Sequence, residues 1–303
     1  MKKIILILII FPVYLLSQIK IALLDNSSVN QIEFSAAYSF FKNQSNIHIE
    51  KISFDDAKEI NVLKNFPLVW IHRVDSTKLH KYEYDESFIS SLKKYLSDGG
   101  KLFLSIDALK YLNVLEVESE EPISKYVYAI DEGYGRKFGL HSFINHPVFN
   151  GLYGGAYIFN PIEDIKIRQV GFFENQKKLK GKIIAVDWSY ITLKENSKLL
   201  LEYDFGKGKI LACGAYLYFD MINQNKNHFE KFLTNCFEYL TQNKVDTQKY
   251  FWNDFSSAEL IQRNFEKVKF NNSKKWKTDG EIKLTRVSAT DNYWNVEIGR
   301  AHV

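Results

Sequence analysis

Apolar residues recur along this chain in two alternating rhythms. Ile19–Leu24, residues 68–72 and Lys101–Ile106 are short runs, apolar on successive positions, that read as buried strands, and residues 47–54 alternate as a further strand. Between them, residues 30–41 and 85–96 carry apolar side chains at helical spacing. In the second of these, Phe88, Ile89, Leu92, Tyr95 and Leu96 share one face. Ser97-Asp98-Gly99-Gly100 closes that helix, because glycine tolerates the left-handed conformation of a helix stop. Asp25-Asn26-Ser27-Ser28 follows the first strand as a helix cap. Strands that alternate with helices and are apolar on both faces predict a parallel sheet covered on both sides. The expected fold class is α/β, a three-layer flavodoxin-like domain.

The rhythm changes in the second half. Residues 182–191 and 198–204 read as strands with no helix between them, and Gly206-Lys207-Gly208 makes a tight turn into residues 209–215. These predict an antiparallel extension of the sheet. Residues 227–240 form a closing helix that buries Phe229, Phe232, Leu233, Cys236, Phe237 and Leu240. Residues 241–250 are polar and read as a linker. Residues 257–265 are helix-like, and a Trp- and Lys-rich run around Thr278-Asp279-Gly280 reads as strands. The expected domains are therefore 18–243, an α/β unit, and 244–297, a linker and the start of a β-rich second domain.

Both ends fall outside this scheme. Lys2 and Lys3, the apolar run of residues 4–16 and the small Ser17 make residues 1–17 a secretory signal, expected to be cleaved. The run is shorter than the roughly 20 residues that span a bilayer, so no stable membrane insertion is expected. The mature protein is expected in the periplasm or outside the cell. Residues 298–303, Ile-Gly-Arg-Ala-His-Val, match one reading frame of a widely used sequencing adapter. They are set aside, and the native chain is expected to continue beyond them.

Composition narrows the function classes. Apolar content of 46% supports a real core. A net charge of +4 with dispersed lysines gives no basic stripe, so no nucleic-acid partner is expected. Aromatic content of 15% suits sugar-binding faces as well as cores. Cys213 and Cys236 lie in an apolar strand and an apolar helix. Export permits a disulfide between them, burial favours free thiols, and both readings stay open. No Cys/His spacing resembles a metal site, and no cofactor motif is present.

Three stretches carry a family resemblance. They are Tyr95-Leu96-Ser97-Asp98-Gly99-Gly100 running into Lys101-Leu102-Phe103-Leu104, then His146-Pro147-Val148-Phe149-Asn150-Gly151-Leu152. The third is Glu202-Tyr203-Asp204-Phe205-Gly206-Lys207-Gly208-Lys209-Ile210-Leu211, followed by Gly214 and a helix bearing Asn235 and Tyr239-Leu240. In order and spacing they resemble the class I glutamine amidotransferase-like superfamily, in its secreted, non-amidotransferase branch. Trehalose-utilisation-like proteins and accessory domains of glycoside hydrolases belong to that branch. The superfamily's amidotransferases hold a cysteine on a strained turn between a strand and a helix, where the thiolate is favoured. Here that turn reads Ser105-Ile106-Asp107-Ala108, with no cysteine. Ser105 also lacks the flanking glycines of a nucleophile elbow. No catalytic residue is assigned.

In open α/β sheets, ligands gather beyond the carboxyl ends of the strands. The residues expected there are Asp25, Asn26, His72, Arg73, Asp107 and Tyr216, with Ser105 beside them. His141 is expected to fold over them from the glycine-rich segment 133–155. They make either a polar ligand cleft or a set of caps, turn residues and ion pairs. Asp131 and Glu132 are adjacent, so in a strand they would point to opposite faces. His146, before Pro147, reads as a turn residue. Three functions follow. The first is a non-catalytic accessory domain of a larger exported carbohydrate-processing protein, with a carbohydrate ligand and a downstream domain or second copy as partner. The second is a small-molecule hydrolase using His72, Asp107 and His141. The third is an envelope protein-interaction domain.

Overall fold

The structure is a computed structural model that describes residues 18–128, 138–142, 146–152, 155–173, 179–188 and 197–241, with two further strands at 282–286 and 294–298. The signal segment 1–17, Asp131, Glu132 and the expected helix at 257–265 lie outside the described residues.

The apolar runs become strands β1 (Ile19–Leu24), β2 (Ile47–Ile52), β3 (Leu68–Arg73) and β4 (Lys101–Ile106). The amphipathic segments become α1 (Gln31–Lys42) and α3 (Glu86–Ser97), with a one-turn α2 (Ile60–Leu63) between them. Asn30 caps α1 by accepting the Glu33 N–H, and Asp85 caps α3 by accepting the N–H groups of Ser87 and Phe88. Gly99 ends α3 at φ +116°, a value that side chains rarely adopt. A second single turn, α4 (Tyr111–Val114), follows β4. The chain continues through β5 (Ile123–Tyr128), β6 (Phe138–His141), β7 (Gly155–Phe159), β8 (Lys166–Gly171), β9 (Lys182–Trp188), β10 (Lys198–Phe205) and β11 (Gly208–Cys213) to α5 (Lys226–Thr241). Strands β12 (Ile282–Arg286) and β13 (Trp294–Ile298) pair antiparallel with each other.

The main sheet has nine strands in the order β2-β1-β3-β4-β11-β10-β9-β6-β7. Its first five strands run parallel, and from β10 onward each neighbour is antiparallel. This is the expected flavodoxin-like sheet with its antiparallel extension. Trp70 and Phe103 face α1 and α5, where their rings meet Phe41 and Phe237 at 5.5–5.7 Å. α3 covers the opposite face, and its Tyr95 hydroxyl donates to Phe66 O.

One expectation is corrected, and one element was not expected. His141 was expected to fold over the strand ends from the glycine-rich segment 133–155. The segment's described parts are β6, a tight turn at Pro147–Phe149 and the first residue of β7, so they extend the edge of the main sheet. The unexpected element is one that periodicity did not show. β5 and β8 form a separate antiparallel ladder, and β8 is strapped across the ends of β11 and β10. The Val170 N–H donates to Gly214 O at 2.7 Å, and Phe172 and Lys198 exchange backbone hydrogen bonds at 2.8 and 3.1 Å. A Cβ on Gly214 would lie 1.5 Å from Val170 O, so only glycine allows this approach.

Candidate functional site

His72 and Ser105 are register partners on β3 and β4, so their side chains stand side by side on the face toward α1. His72 Nδ1 lies 2.7 Å from Ser105 Oγ, and Ser105 Oγ accepts from Trp70 Nε1 at 2.9 Å. On its other side His72 Nε2 lies 2.8 Å from Glu33 Oε1. Glu33 in turn accepts the N–H groups of Phe219 and Asp220 at 2.8 and 3.1 Å. Burial works to raise the Glu33 carboxyl, but the His72 contact and the Asp220 and Phe219 hydrogen bonds outweigh it and bring the pKa down to about 2. Against an ionised Glu33, His72 Nε2 is the donor, and Ser105 can then give its own proton to Nδ1. The order carboxylate, imidazole, hydroxyl is that of a hydrolytic triad. Every member is buried, and the Phe219 ring packs on His72 at 5.2 Å. As folded, the array ties helix, sheet and the 219–220 turn together and offers no face to substrate.

The strained strand-to-helix turn is present. Ile106, between β4 and the turn that begins at Asp107, has φ 55° and ψ −119°. A β-branched residue at positive φ is an outlier that costs about 1–3 kcal/mol. The resemblance implies a nucleophile at such a turn, and the residue there is a fully buried isoleucine with no nucleophilic atom.

Asp107 is buried beneath β8. Its carboxylate accepts the Asp75 N–H at 2.9 Å and pairs with Arg168. Burial raises its pKa, and the charges of Arg168 and Lys110 oppose that rise. Arg73 is likewise consumed. It binds Glu83 through Nε at 2.8 Å and donates its remaining N–H groups to Asp75, Thr77, Lys78 and Glu83. It clamps loop 75–83 and has no donor left for a ligand. Asp25 accepts the Ser27 N–H at 2.9 Å, as a turn residue does. Asn26 donates to His72 O at 3.2 Å, while its Oδ1 is buried without a protein partner. A void of about 10 Å³ beside Asn26, Glu33 and His72 has room for one water at most.

Tyr216, expected in the cleft, is fully buried. Its hydroxyl bonds Asp187 and its ring stacks on Phe138 at 5.3 Å. Burial lifts Asp187 to about 6. His141 ends β6, four strand spacings from β4 and five from β3. At 4.7–4.9 Å per spacing these are roughly 19 and 24 Å. His141 therefore does not converge with His72 and Asp107, and the acid/base set built on the three is corrected. Burial lowers His141 to about 4.

The expected cleft is thus a row of internal anchors closed by β8 and by the turn carrying Phe219. Glu33 was missing from the sequence-derived set, although it shares a helical stripe with Ala37 and Phe41, which marks it for burial. At the opposite end of the sheet, an open depression of about 440 Å³ is bordered by Lys180, Lys182, Glu202, Tyr203 and Asp204. Glu202 there is held by Lys209 at 3.1 Å, His146 at 3.3 Å and the Tyr239 hydroxyl. Burial acts to raise its pKa, yet these bonds bring it down to about 2. Among the described residues, no three His, Cys, Asp or Glu side chains gather as metal ligands, and no helix is long and apolar enough to cross a membrane.

The backbone is similar to that of a ThuA-like protein from Parabacteroides merdae, with TM-score 0.52 and 13% identity over 77% of this chain and 93% of that one. A ThuA-like protein from Bacteroides uniformis gives 0.43 and 12% over 77% and 95%. A beta-galactosidase from G. stearothermophilus gives 0.42 and 12%, covering 71% of this chain and 29% of that enzyme. The first likeness is one of fold, and it agrees with the flavodoxin-like α/β architecture. No family model matches the sequence, and no curated protein matches it.

Proposed function

We propose that this chain is a non-catalytic α/β domain of an exported carbohydrate-processing protein and acts by binding carbohydrate. The observation that carries this reading is Ile106, which occupies the strained turn where related architectures hold a nucleophile. The nearest hydroxyl–imidazole–carboxylate array, Ser105, His72 and Glu33, is sealed in the core. Export rests on the signal pattern of residues 1–17. The carbohydrate assignment rests on solvent-facing aromatic residues of the β5–β8 ladder.

The test is a glycan-array screen of the full chain, run beside assays for ammonia release from glutamine and for ester hydrolysis. The reading expects glycan binding and no turnover. Turnover in either assay overturns it: activity lost in Ser105→Ala would assign the chemistry to the Ser105, His72 and Glu33 array, and activity that survives would place it elsewhere in the chain. A failure to bind any glycan would overturn its carbohydrate part.

A further inference from the structure

Tyr126 and Tyr128 are 55% and 61% exposed on a strand whose partner is anchored to the main sheet. Being two residues apart, they lie on one face of β5, about 6.8 Å from each other along the strand. Their direct cross-strand partners are Arg168 and Lys166. The Lys166 ammonium lies 4.6 Å from the Tyr126 ring centre and 5.3 Å from that of Tyr128, which ties the two rings together. Arg168 is neutralised by Asp107. Lys166 has no carboxylate within ion-pair distance among the described residues. The face therefore offers two aromatic rings and one uncompensated positive charge.

We propose that this face is a glycan-stacking platform, on which Tyr126 and Tyr128 receive sugar rings and Lys166 pairs with a uronate carboxylate. The proposal rests on the carbohydrate reading above and gives it a surface and a ligand class. A pyranose presents a C–H face that packs on an aromatic ring and an equatorial rim of hydroxyls that stays in water. Tyrosine suits it, having an apolar body and a polar tip. The platform is also pre-organised. β8 is fixed to β11 through Val170 and Gly214 and to Asp107 through Arg168, so little ordering remains to be done on binding. The unpaired Lys166 selects acidic over neutral glycans by charge complementarity.

Affinity electrophoresis of the full chain through gels containing polygalacturonate, alginate or neutral xylan tests the proposal. The expected result is retardation by one or both uronate polymers, with weaker retardation by xylan. Tyr126→Ala/Tyr128→Ala should weaken uronate binding at least tenfold with unchanged circular dichroism, since both residues are exposed. Lys166→Gln should bring uronate affinity down to the neutral-glycan level. Uronate binding that survives the double tyrosine variant overturns this site and leaves the carbohydrate reading standing. Equal retardation by xylan, unaffected by Lys166→Gln, overturns the acidic ligand class. Absence of retardation in every gel overturns the proposal, and absence of binding on the glycan array as well overturns the carbohydrate reading. A tyrosine-dependent dimer in sedimentation without glycan binding also overturns the site, by assigning the face to a second copy.

Discussion

His72 and Glu33 meet at 2.8 Å with both side chains shut off from solvent, and this contact joins the third strand of the sheet to its first helix. The same carboxylate accepts two backbone N–H groups from the 219–220 turn. Removing it strands His72 and both amides in the interior. Glu33→Ala is expected to cost about 3–5 kcal/mol, since three buried or partly buried donors lose their acceptor at roughly 1–3 kcal/mol each. Glu33→Gln should cost less, because its amide oxygen still accepts. Urea unfolding measures both, and a Glu33→Ala loss below about 1 kcal/mol would remove Glu33 from the role of anchor.

The pH dependence follows from two carboxyls with opposite displacements. Glu33 is lowered to about 2 from an ordinary 4.5, so its stabilisation is present above pH 4.5 and fades as pH falls toward 2. Asp220 lies at the exposed surface, yet partial desolvation there and then its hydrogen bond and repulsion with Glu33 raise it from 3.8 to about 7. The folded state keeps a proton there that the unfolded state releases, so stability falls as pH rises from about 4 to 7. Asp220→Asn should flatten that limb and leave the acid limb in place. Melting temperatures between pH 2 and 8 read both, and an unchanged neutral limb would exclude Asp220 as its source.

The strap over the strand ends depends on Gly214. A methyl group there would overlap Val170 O, so Gly214→Ala must push β8 off β11. The expected loss is about 3 kcal/mol, at the upper end of ordinary overpacking. Amide exchange should speed up at Val170 and Phe172 before it does in β4. Wild-type protection at Val170 in the variant would show that the strap does not need this close approach.

Cys213 and Cys236 are fully buried free thiols, and burial pushes Cys213 up to about 12. The structure has the pair as free thiols, one of the two readings the sequence left open. The folded protein should not react with an aromatic disulfide reagent within minutes and should release two thiol equivalents once unfolded in guanidinium. A 2 Da mass deficit in the non-reduced chain would show a disulfide instead.

The parallel half of the fold was legible because its signals are local. β1 and β4 coincide with their apolar runs, and the stop after α3 is written in Gly99 and Gly100. β5 and β8 were illegible for the converse reason. Their pairing joins residues some 40 apart, and the outer face of β5 exposes Tyr126 and Tyr128, so its pattern never reads as apolar against polar. The site residues were found as a neighbourhood, and of the two readings the sequence left open, a ligand cleft or a set of caps, turn residues and ion pairs, their contacts are those of the second. Spacing put Arg73, Asp107 and Tyr216 at strand ends, where they lie, but only the fold shows that Glu83, Arg168 and Asp187 consume them. An acidic residue in the first turn of α1 reads as a complement to the helix dipole. Its burial partner, His72, sits 39 residues away and leaves no local trace.

Native mass spectrometry of the full chain with a defined oligogalacturonate tests binding without chemistry most directly. The account predicts a complex at the summed mass of protein and intact oligosaccharide, unchanged after prolonged incubation and lost in Tyr126→Ala/Tyr128→Ala. Shortened oligosaccharides that persist through purification of the chain, or a covalent adduct on the protein, would contradict it.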